Sequence, residues 1–234
     1  MNSQPQRDPT RPLDSAMNRR IASAYLPDNP LARWDYYYAR SKLGSDPLYA
    51  GTLDALRGSC APLMDLGCGL GLLAHALHHD GQSLDYYGVD NDAPKIRRAK
   101  RAAAKAGLAR TRFEVVDLAQ GLPQHSGSVA ILDVLQYLSA DAQRGLVDRV
   151  IAMLTPGARL VIRTGLDDGT RRGNTSRITD RLAHFAGWMQ SIPKTYPVAD
   201  TLRAQLEGAG LTVSFSPLYG DTPFNNWMVV AQRD

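Results

Sequence analysis

Short apolar runs alternate with amphipathic segments along the chain beyond residue 58. Apolar runs bounded by turn residues are typical of buried strands, whereas apolar positions at three- and four-residue intervals are typical of helices. The pattern predicts strands at 62–66, 84–89, 112–116, 129–133 and 159–164, and helices near 71–80, 93–106 and 141–154. Such an alternation indicates an α/β fold in which helices cover both faces of a parallel sheet.

The pattern changes after the fifth predicted strand. A polar segment at 165–197, with a predicted helix at 178–189, is followed by a helix at 200–207 and strands at 211–215 and 227–231. Only a short, turn-rich connection joins the last two strands, so they are predicted to pair antiparallel. The complete prediction is a doubly wound, Rossmann-like sheet of seven strands, mostly parallel, that closes with an antiparallel C-terminal hairpin.

The domain organisation follows from the same pattern. Residues 1–30 are rich in Pro, Asn, Ser, Asp and Arg and show little periodicity, which predicts a disordered tail. Residues 31–58 have an aromatic and helical pattern and are predicted to form an N-terminal helical cap. Residues 59–234 are predicted to form one α/β domain, in which 165–197 is an insertion that covers the ligand edge of the sheet.

Composition restricts the class of protein. The 234 residues are 44% hydrophobic and 21% charged, which suits one globular domain with extensions. No apolar stretch approaches the roughly 18 residues of a membrane span, and residues 1–20 carry no apolar block of the kind found in secretory signals. Cys60 and Cys68 give neither a disulfide framework nor a metal-binding spacing, so we expect a reducing cytoplasm and no metal site.

The formal net charge of +4 is concentrated in one segment, because residues 92–105 alone carry a net +5. Within that segment Ile96, Ala99 and Ala103 recur at helical spacing, which predicts a buried stripe and a basic face toward solvent. A charge run on such a helix is usually a solvated face. Nucleic acid is therefore a minor interpretation of the charge.

The sharpest local signal is the run Asp65-Leu66-Gly67-Cys68-Gly69-Leu70-Gly71, which leads from an apolar strand into a helix. Glycine allows a sharp backbone turn and lets a ligand contact the main chain. Asp90 ends the second predicted strand, where a carboxylate can accept hydrogen bonds from both ribose hydroxyls. Asp117 follows the third strand and is suited to accept from an adenine amino group. The sequence predicts an adenosine-containing ligand at this edge.

Dinucleotide-binding oxidoreductases are the natural competing class. Their fingerprint G-x-G-x-x-G would place the third glycine at position 72, where this chain has leucine. A pyrophosphate also prefers a helix N-terminus without nearby carboxylates, whereas a cationic sulfonium ligand tolerates them. The pattern of charges therefore favours S-adenosylmethionine over NAD.

Residues from about 60 to 234 resemble the class I S-adenosylmethionine-dependent methyltransferases. The glycine run matches the family's first motif, Asp90 and Asp117 match its ribose and adenine acids, 129–135 matches its fourth strand, and Pro156-Gly157 precedes the fifth. The resemblance implies that S-adenosylmethionine is the cofactor and that its contacts come from Asp65, Gly67, Cys68, Gly69, Gly71, Asp90, Asn91, Asp117, Leu118 and Asp133. The lead-in around Tyr36–Tyr38 is loosely similar to that of bacterial methyltransferases linked to aryl-polyene pigment pathways.

The acceptor side of the site is predicted from aromatic and titratable residues. His184 and Tyr137 are the candidate bases, since histidine is the usual base near neutral pH and Tyr137 follows the fourth strand. Tyr37 and Tyr38, together with Arg177 and Trp188 in the insertion, are the candidate cover residues. Rings and guanidinium groups suit a flat acidic acceptor, either a small molecule or a group tethered to a carrier protein.

Three alternatives to a metal-free small-molecule methyltransferase are a nucleic-acid enzyme, a magnesium-dependent enzyme and a non-catalytic binding protein. The segment after the fourth strand has no proline in Asp133-Val134-Leu135-Gln136, unlike the tetrad of amino-methylating nucleic-acid enzymes, and neither cysteine is placed for cytosine chemistry. Asp133 with Asp167 or Asp168 is a conceivable magnesium site, although a polar loop start explains these residues more simply. A non-catalytic protein that binds the cofactor without an acceptor site stays open.

Overall fold

The computed structural model describes residues 8–27, 33–167, 194–222 and 225–234. The strands are β1 (Leu63–Leu66), β2 (Tyr86–Asp90), β3 (Thr111–Val115), β4 (Ser128–Leu132), β5 (Arg159–Gly165), β6 (Thr212–Pro217) and β7 (Asn226–Gln232). The helices are α1 (Ser15–Ser23), α2 (Trp34–Ser45), α3 (Leu48–Leu56), α4 (Leu72–His79), α5 (Ala93–Lys105), α6 (Ala140–Ile151) and α7 (Ala199–Gly208). Leu135–Tyr137 form a short 3-10 helix.

The strands form one sheet in the order β3-β2-β1-β4-β5-β7-β6. Strands β1 to β5 run parallel, and β7 lies antiparallel between β5 and β6. The predicted Rossmann-like sheet with an antiparallel C-terminal hairpin is therefore confirmed. The strand order reverses between β1 and β4, and ligands of open α/β sheets bind at the carboxyl ends of the strands at such a point. The helix predicted at 178–189 lies outside the described residues.

Each face of the sheet has its own apolar layer. Ile21, Leu53 and Ile96 belong to the layer formed with α1, α3, α4 and α5. Leu146 and Leu206 belong to the layer formed with α6 and α7 on the other face. Both faces of β1, β2, β4 and β5 are buried, which explains why their sequences are largely apolar rather than alternating, whereas β3 at the edge of the sheet is mostly exposed.

The prediction of a disordered tail over 1–30 is wrong for Ser15–Ser23, which form α1. The Asp14 carboxylate caps this helix by accepting from the amides of Ala16 and Met17, each at 2.9 Å. Met17 and Ile21 are buried one helical turn apart, so that one face of α1 packs into the core. This segment is therefore an amphipathic helix, although its composition is mostly polar.

Helix α5 has the two faces that its sequence predicts. Asp92 caps its first turn by accepting from the amide of Lys95 at 2.9 Å. Ile96, Ala99 and Ala103 are buried, whereas Arg97 is exposed. The basic face therefore lies toward solvent. Across the described part of the chain, no helix is both long enough and apolar enough to cross a membrane.

Candidate functional site

The turn between β1 and α4 is built from three glycines in the left-handed backbone region. Gly67, Gly69 and Gly71 have φ angles of 79°, 56° and 74°. The amides of Gly67 and Cys68 donate to the Val89 carbonyl at 2.8 and 3.0 Å, which fixes the turn against β2. Residues with a Cβ pay about 1–2 kcal/mol for this backbone region, so the three glycines are what allows the turn.

The three glycines are required for different reasons. A Cβ at Gly67 would collide with the Val134 side chain, and a Cβ at Gly71 would lie 2.6 Å from the Phe113 ring. A Cβ at Gly69 would have no atom of the described residues outside its own turn within 4 Å. Gly67 and Gly71 are therefore needed for packing, whereas Gly69 borders open space where a ligand can contact the backbone.

This difference predicts two separable phenotypes. Gly67→Ala is expected to lower the melting temperature more than Gly69→Ala, because only the former adds a collision to the backbone strain that both share. Gly69→Ala is expected to weaken binding of S-adenosylhomocysteine by about tenfold or more, a loss of roughly 1.4 kcal/mol, because its methyl group takes ligand space. Calorimetric titration and thermal unfolding of both variants test the assignment. Equal affinity in Gly69→Ala and the wild type would make the glycine run a structural turn only.

Asp90 connects the end of β2 to the glycine turn. Its carboxylate accepts from the amide of Gly69 and from the amide of Asp92, each at 2.9 Å. A carboxylate offers about four lone-pair positions, so two acceptor positions are left after these bonds. Asp90 is half-buried at the carboxyl edge of the sheet and is well placed to accept from paired hydroxyl groups.

Asp65 lies inside β1, one residue before the strand ends. It is buried, and one carboxylate oxygen accepts from the Tyr86 hydroxyl at 2.5 Å. The other oxygen, Oδ1, is buried without a hydrogen-bond partner among the described residues. Burial raises the pKa of Asp65 to about 7, the Tyr86 hydrogen bond opposes this rise, and Asp90 adds to it. An unpaired buried acceptor suits the amino group of a bound ligand.

The raised pKa of Asp65 predicts how stability depends on pH. The unfolded chain releases this proton near pH 3.9, whereas the folded protein retains it until about pH 7. The contribution of Asp65 to folding is therefore fully present below about pH 4 and is lost as the pH rises through about 7. Asp65→Asn has no such titration, so its stability relative to the wild type is expected to increase from pH 4 to pH 7. Urea unfolding across this range measures the difference, and parallel pH profiles would contradict it.

The other predicted cofactor residues lie along the same edge. Asn91 and Asp117 are exposed, and Leu118 is half-buried. The Asp117 carboxylate accepts from the Ala119 amide at 3.0 Å and from the Gln120 side chain at 3.1 Å, so it shapes the turn after β3. Cys68 is half-buried in the glycine turn, and burial raises the pKa of its thiol well above the usual range. This thiol is therefore a poor nucleophile.

Asp133 directly follows β4 and belongs to a cluster of four charges. It has a left-handed backbone with φ of 59°. Arg163 on β5 donates to Asp133 and, at 2.9 Å, to Asp46. Lys42 on α2 donates to Asp46 at 2.6 Å and to Asp133 at 3.2 Å. We call Lys42, Asp46, Asp133 and Arg163 the charge cluster. Strained backbone at a ligand edge is common in functional sites.

Mutual attraction keeps Asp133 and Lys42 ionised. Burial opposes ionisation of Asp133, but Arg163 and Lys42 outweigh it and hold the pKa of Asp133 below its usual value. Burial likewise opposes the charge of Lys42, but Asp133 and Asp46 raise the pKa of its ammonium group above the usual range. Neither group is therefore suited to act as a base near neutral pH.

Sequence reasoning missed Lys42, Asp46 and Arg163 as site residues. One signal was present, because Arg163 interrupts the apolar run of β5 and a buried charge requires a partner. The partners could not be identified, because Asp133 and Asp46 lie 30 and 117 positions from Arg163. The structure places Asp133 at the predicted edge and brings to it a helix from the N-terminal region.

The aromatic residues of α2 differ in their surroundings. Trp34, Tyr37 and Tyr38 are 72%, 59% and 43% exposed, so this helix presents rings to solvent. Tyr137 is half-buried in the short 3-10 helix after β4. The predicted acceptor residues Arg177, His184 and Trp188 lie outside the described residues.

His75 lies on α4 and contributes to the core rather than to the ligand edge. The side chain is fully buried, and its ring lies 5.2 Å from the Tyr25 ring of the N-terminal region. Burial lowers its pKa to about 4, and His79 and His78 act in the same direction. A neutral, buried His75 therefore belongs to the packing of the core beneath the residues that follow α1.

Sequence similarity to known proteins identifies the family of this chain. A family model described as a methyltransferase domain matches residues 59–184. Trans-aconitate 2-methyltransferase of Variovorax paradoxus is 31% identical over 148 residues, which cover 62% of this chain and 52% of that protein. Carboxy-S-adenosyl-L-methionine synthase of Cronobacter sakazakii is 32% identical over 104 residues, which cover 42% of this chain and 41% of that protein. The match thus covers about half the length of the first relative and less than half the length of the second.

Solved structures give the same fold. Magnesium protoporphyrin IX methyltransferase from Synechocystis, solved with bound SAH, has a TM-score of 0.62 at 18% identity and covers 94% of this chain and 95% of that one. An O-methyltransferase family protein from Burkholderia thailandensis has a TM-score of 0.61 at 19% identity, with coverages of 86% and 59%. The sheet, the glycine turn and the family match agree. The chain belongs to the class I S-adenosylmethionine-dependent methyltransferase family.

The residues present fit the cofactor of this family. Within the described part of the chain, a Cβ at Gly69 would meet no neighbouring atom, Asp65 has a buried acceptor without a partner, and Asp90 has free acceptor capacity. These three features match the size and the hydrogen-bond donors of a ligand with an amino group and two ribose hydroxyls. S-adenosylmethionine is therefore the cofactor that the site accommodates.

Proposed function

We propose that this protein transfers a methyl group from S-adenosylmethionine to a small-molecule acceptor, either free or tethered to a carrier protein. The observation that carries the proposal is the joint geometry of Gly69 and Asp90, in which the carboxylate is bonded to the amide of a glycine that borders open space. Asp90 would bind the ribose hydroxyls, and Asp65 would accept from the amino group. Bound S-adenosylmethionine supplies the methyl group on a positively charged sulfur.

The chain's own contribution is to position the cofactor and the acceptor. Holding two reactants in a productive arrangement replaces the entropic cost of their encounter, which is the main means of catalysis in such a displacement. The carboxylates at the edge favour a cationic ligand and disfavour a pyrophosphate, which supports S-adenosylmethionine over a nicotinamide dinucleotide.

We also propose that the domain extends over 59–234 and that residues 165–197 contribute to the acceptor side, with His184, Arg177 and Trp188 as its chemical groups. Tyr137 is the second proposed base, because it lies in the turn that follows Asp133. The relative named for trans-aconitate makes a carboxylate acceptor one of the compounds to test.

Two measurements test the proposed function. Titration calorimetry with S-adenosylhomocysteine and with NADH should show binding of the former only, and binding of NADH alone would support an oxidoreductase. Incubation with methyl-labelled S-adenosylmethionine and an acceptor panel, including trans-aconitate and carrier-bound acids, should give a labelled product. Cofactor binding without turnover on any acceptor would favour a non-catalytic binding protein.

A further inference from the structure

Helix α2 lies across the carboxyl ends of the central strands. At one end Asp35 pairs with Arg98 of α5, the helix that follows β2, at 2.8 Å. Seven residues later Lys42 pairs with Asp133, which follows β4. Seven residues of helix rise about 10.5 Å, and two strand spacings in a sheet are about 9.6 Å. The two ion pairs therefore hold α2 between α5, the helix that follows β2, and the end of β4.

Three residues on one side of α2 form a stripe in which exposure to solvent decreases along the helix. Trp34, Tyr38 and Lys42 recur every four residues and therefore lie along one side of the helix. Their side chains are progressively less exposed toward the charge cluster, with Trp34 at 72%, Tyr38 at 43% and Lys42 at 25%. Tyr38 also lies close enough to the Lys42 ammonium to contribute to its raised pKa. The stripe thus leads from solvent to the charged end of β4.

The charged end of the stripe has unused donor capacity. An ammonium group carries three N–H donors, and the described residues accept from Lys42 at Asp46 and Asp133 only. Arg163 supports both carboxylates, and its Nε is buried without a partner among the described residues. The two cations of the charge cluster balance its two carboxylates, so the cluster has no net negative charge. An oxygen anion of a ligand can therefore form a charged hydrogen bond with Lys42 without being repelled by the cluster as a whole.

We propose that the stripe of Trp34, Tyr38 and Lys42 binds the acceptor, and that the acceptor is a planar molecule with an ionisable oxygen, such as a phenol, an enol or a conjugated carboxylic acid. The rings of Trp34 and Tyr38 stack on its plane, and the Lys42 ammonium donates to its oxygen anion. Asp46 and Arg163 are positioning residues that hold Lys42 and Asp133. This inference rests on the proposed function, because it assigns the substrate class of that same site.

The charge states of Asp133 and Lys42 favour an oxygen acid as the acceptor. Asp133 and Lys42 keep their charges, and neither accepts a proton readily near neutral pH. An acceptor that is itself acidic does not need a strong base, because the nearby ammonium stabilises its ionised form. An amine acceptor would gain nothing from this ammonium and would be repelled in its protonated form.

The experiment uses 4-nitrophenol as the probe, because its ionised form has a distinct visible absorbance. The probe is titrated with pH in the presence of the full-length protein and saturating S-adenosylhomocysteine. We expect the pKa of the bound probe to fall by at least about one unit, equal to a tenfold preference for the phenolate. Lys42→Met should abolish this shift, and Lys100→Met on the exposed face of α5 should retain it. The neutral analogue 4-nitroanisole should bind at least about tenfold more weakly.

Folding of the Lys42 variant is checked by circular dichroism, since Lys42 also attaches α2 to β4. If Lys42→Met does not fold, Tyr38→Ala decides, because its exposed ring can be removed without opening the core and should cost affinity for the phenolate at least about fivefold. Failure of the probe to bind the S-adenosylhomocysteine complex, or equal binding in a folded variant, would overturn the inference. Failure of S-adenosylhomocysteine itself to bind would instead overturn the proposed function.

Discussion

Replacing Asp90 by alanine is expected to weaken S-adenosylhomocysteine binding by at least about tenfold. Each hydrogen bond to a charged group contributes about 1.5–3 kcal/mol, and the variant loses the acceptor for two ribose hydroxyls. It also loses the bond that holds the Gly69 amide at 2.9 Å, so the glycine turn is less well ordered before the ligand arrives. The dissociation constant from titration calorimetry measures the effect.

Two matched variants separate these contributions. Asp90→Asn retains one oxygen acceptor without the charge, so its affinity is expected to lie between those of the wild type and Asp90→Ala. Asp85→Ala removes a carboxylate at the opposite end of β2, where Asp85 is exposed and pairs with Arg110 at 2.7 Å, and should leave the affinity unchanged. A folded Asp90→Ala protein with an unaltered dissociation constant would remove β2 from the cofactor site.

The fold was predictable because its main signal is local. The apolar runs that form β1, β2, β4 and β5 are bounded by turns, and their periodicity differs from that of the intervening helices. The short link before β7 was sufficient to predict antiparallel pairing with β6. The position of Gly67 to Gly71 and Asp90 at one edge of the sheet was predictable for the same reason, since Gly67 directly follows β1 and Asp90 is the last residue of β2.

Two features were not predictable from local pattern. Helix α1 places only a narrow apolar face against the core, and Asn18 is buried within that face, so composition suggested a tail. The charge cluster depends on contacts between residues that are remote in sequence, because Arg163 and Asp46 are 117 positions apart. The spacing of Lys42 and Asp46 permits a helical ion pair, but such pairs are common on exposed helices and carry no information about a site.

Replacing Arg163 by methionine is expected to destabilise the fold by about 3–5 kcal/mol, because it leaves buried carboxylates without their main partner. The Arg163 side chain is only 4% exposed, and those of Asp46 and Asp133 are 10% and 23% exposed. For a protein of this size each kcal/mol shifts the melting temperature by roughly 2–4 °C, so the expected decrease is about 6–20 °C. Arg110→Met, which removes an ion pair that is exposed on both sides, should leave the melting temperature essentially unchanged.

The cause of this loss can be tested by neutralising one carboxylate. Asp133→Asn in the Arg163→Met protein leaves Lys42 paired with Asp46, so that the cluster carries no net charge, and should recover part of the lost stability, although each change alone is destabilising. If the loss came from missing packing around the arginine stem instead, the additional substitution would lower the melting temperature further.

The stability of the wild type and that of Arg163→Met are expected to depend on pH with opposite sign. In the wild type the pKa of Asp133 is lowered by Arg163 and Lys42, so its contribution is present above the unfolded value of about 3.9 and is lost as the pH falls through the folded value. In Arg163→Met, Asp133 retains only the Lys42 contact, so burial raises its pKa relative to the wild type, and protonation relieves part of the cost. The stability difference between the two proteins is therefore expected to narrow from pH 7 toward pH 4. A difference that stays constant over this range would show that Arg163 acts through packing rather than charge.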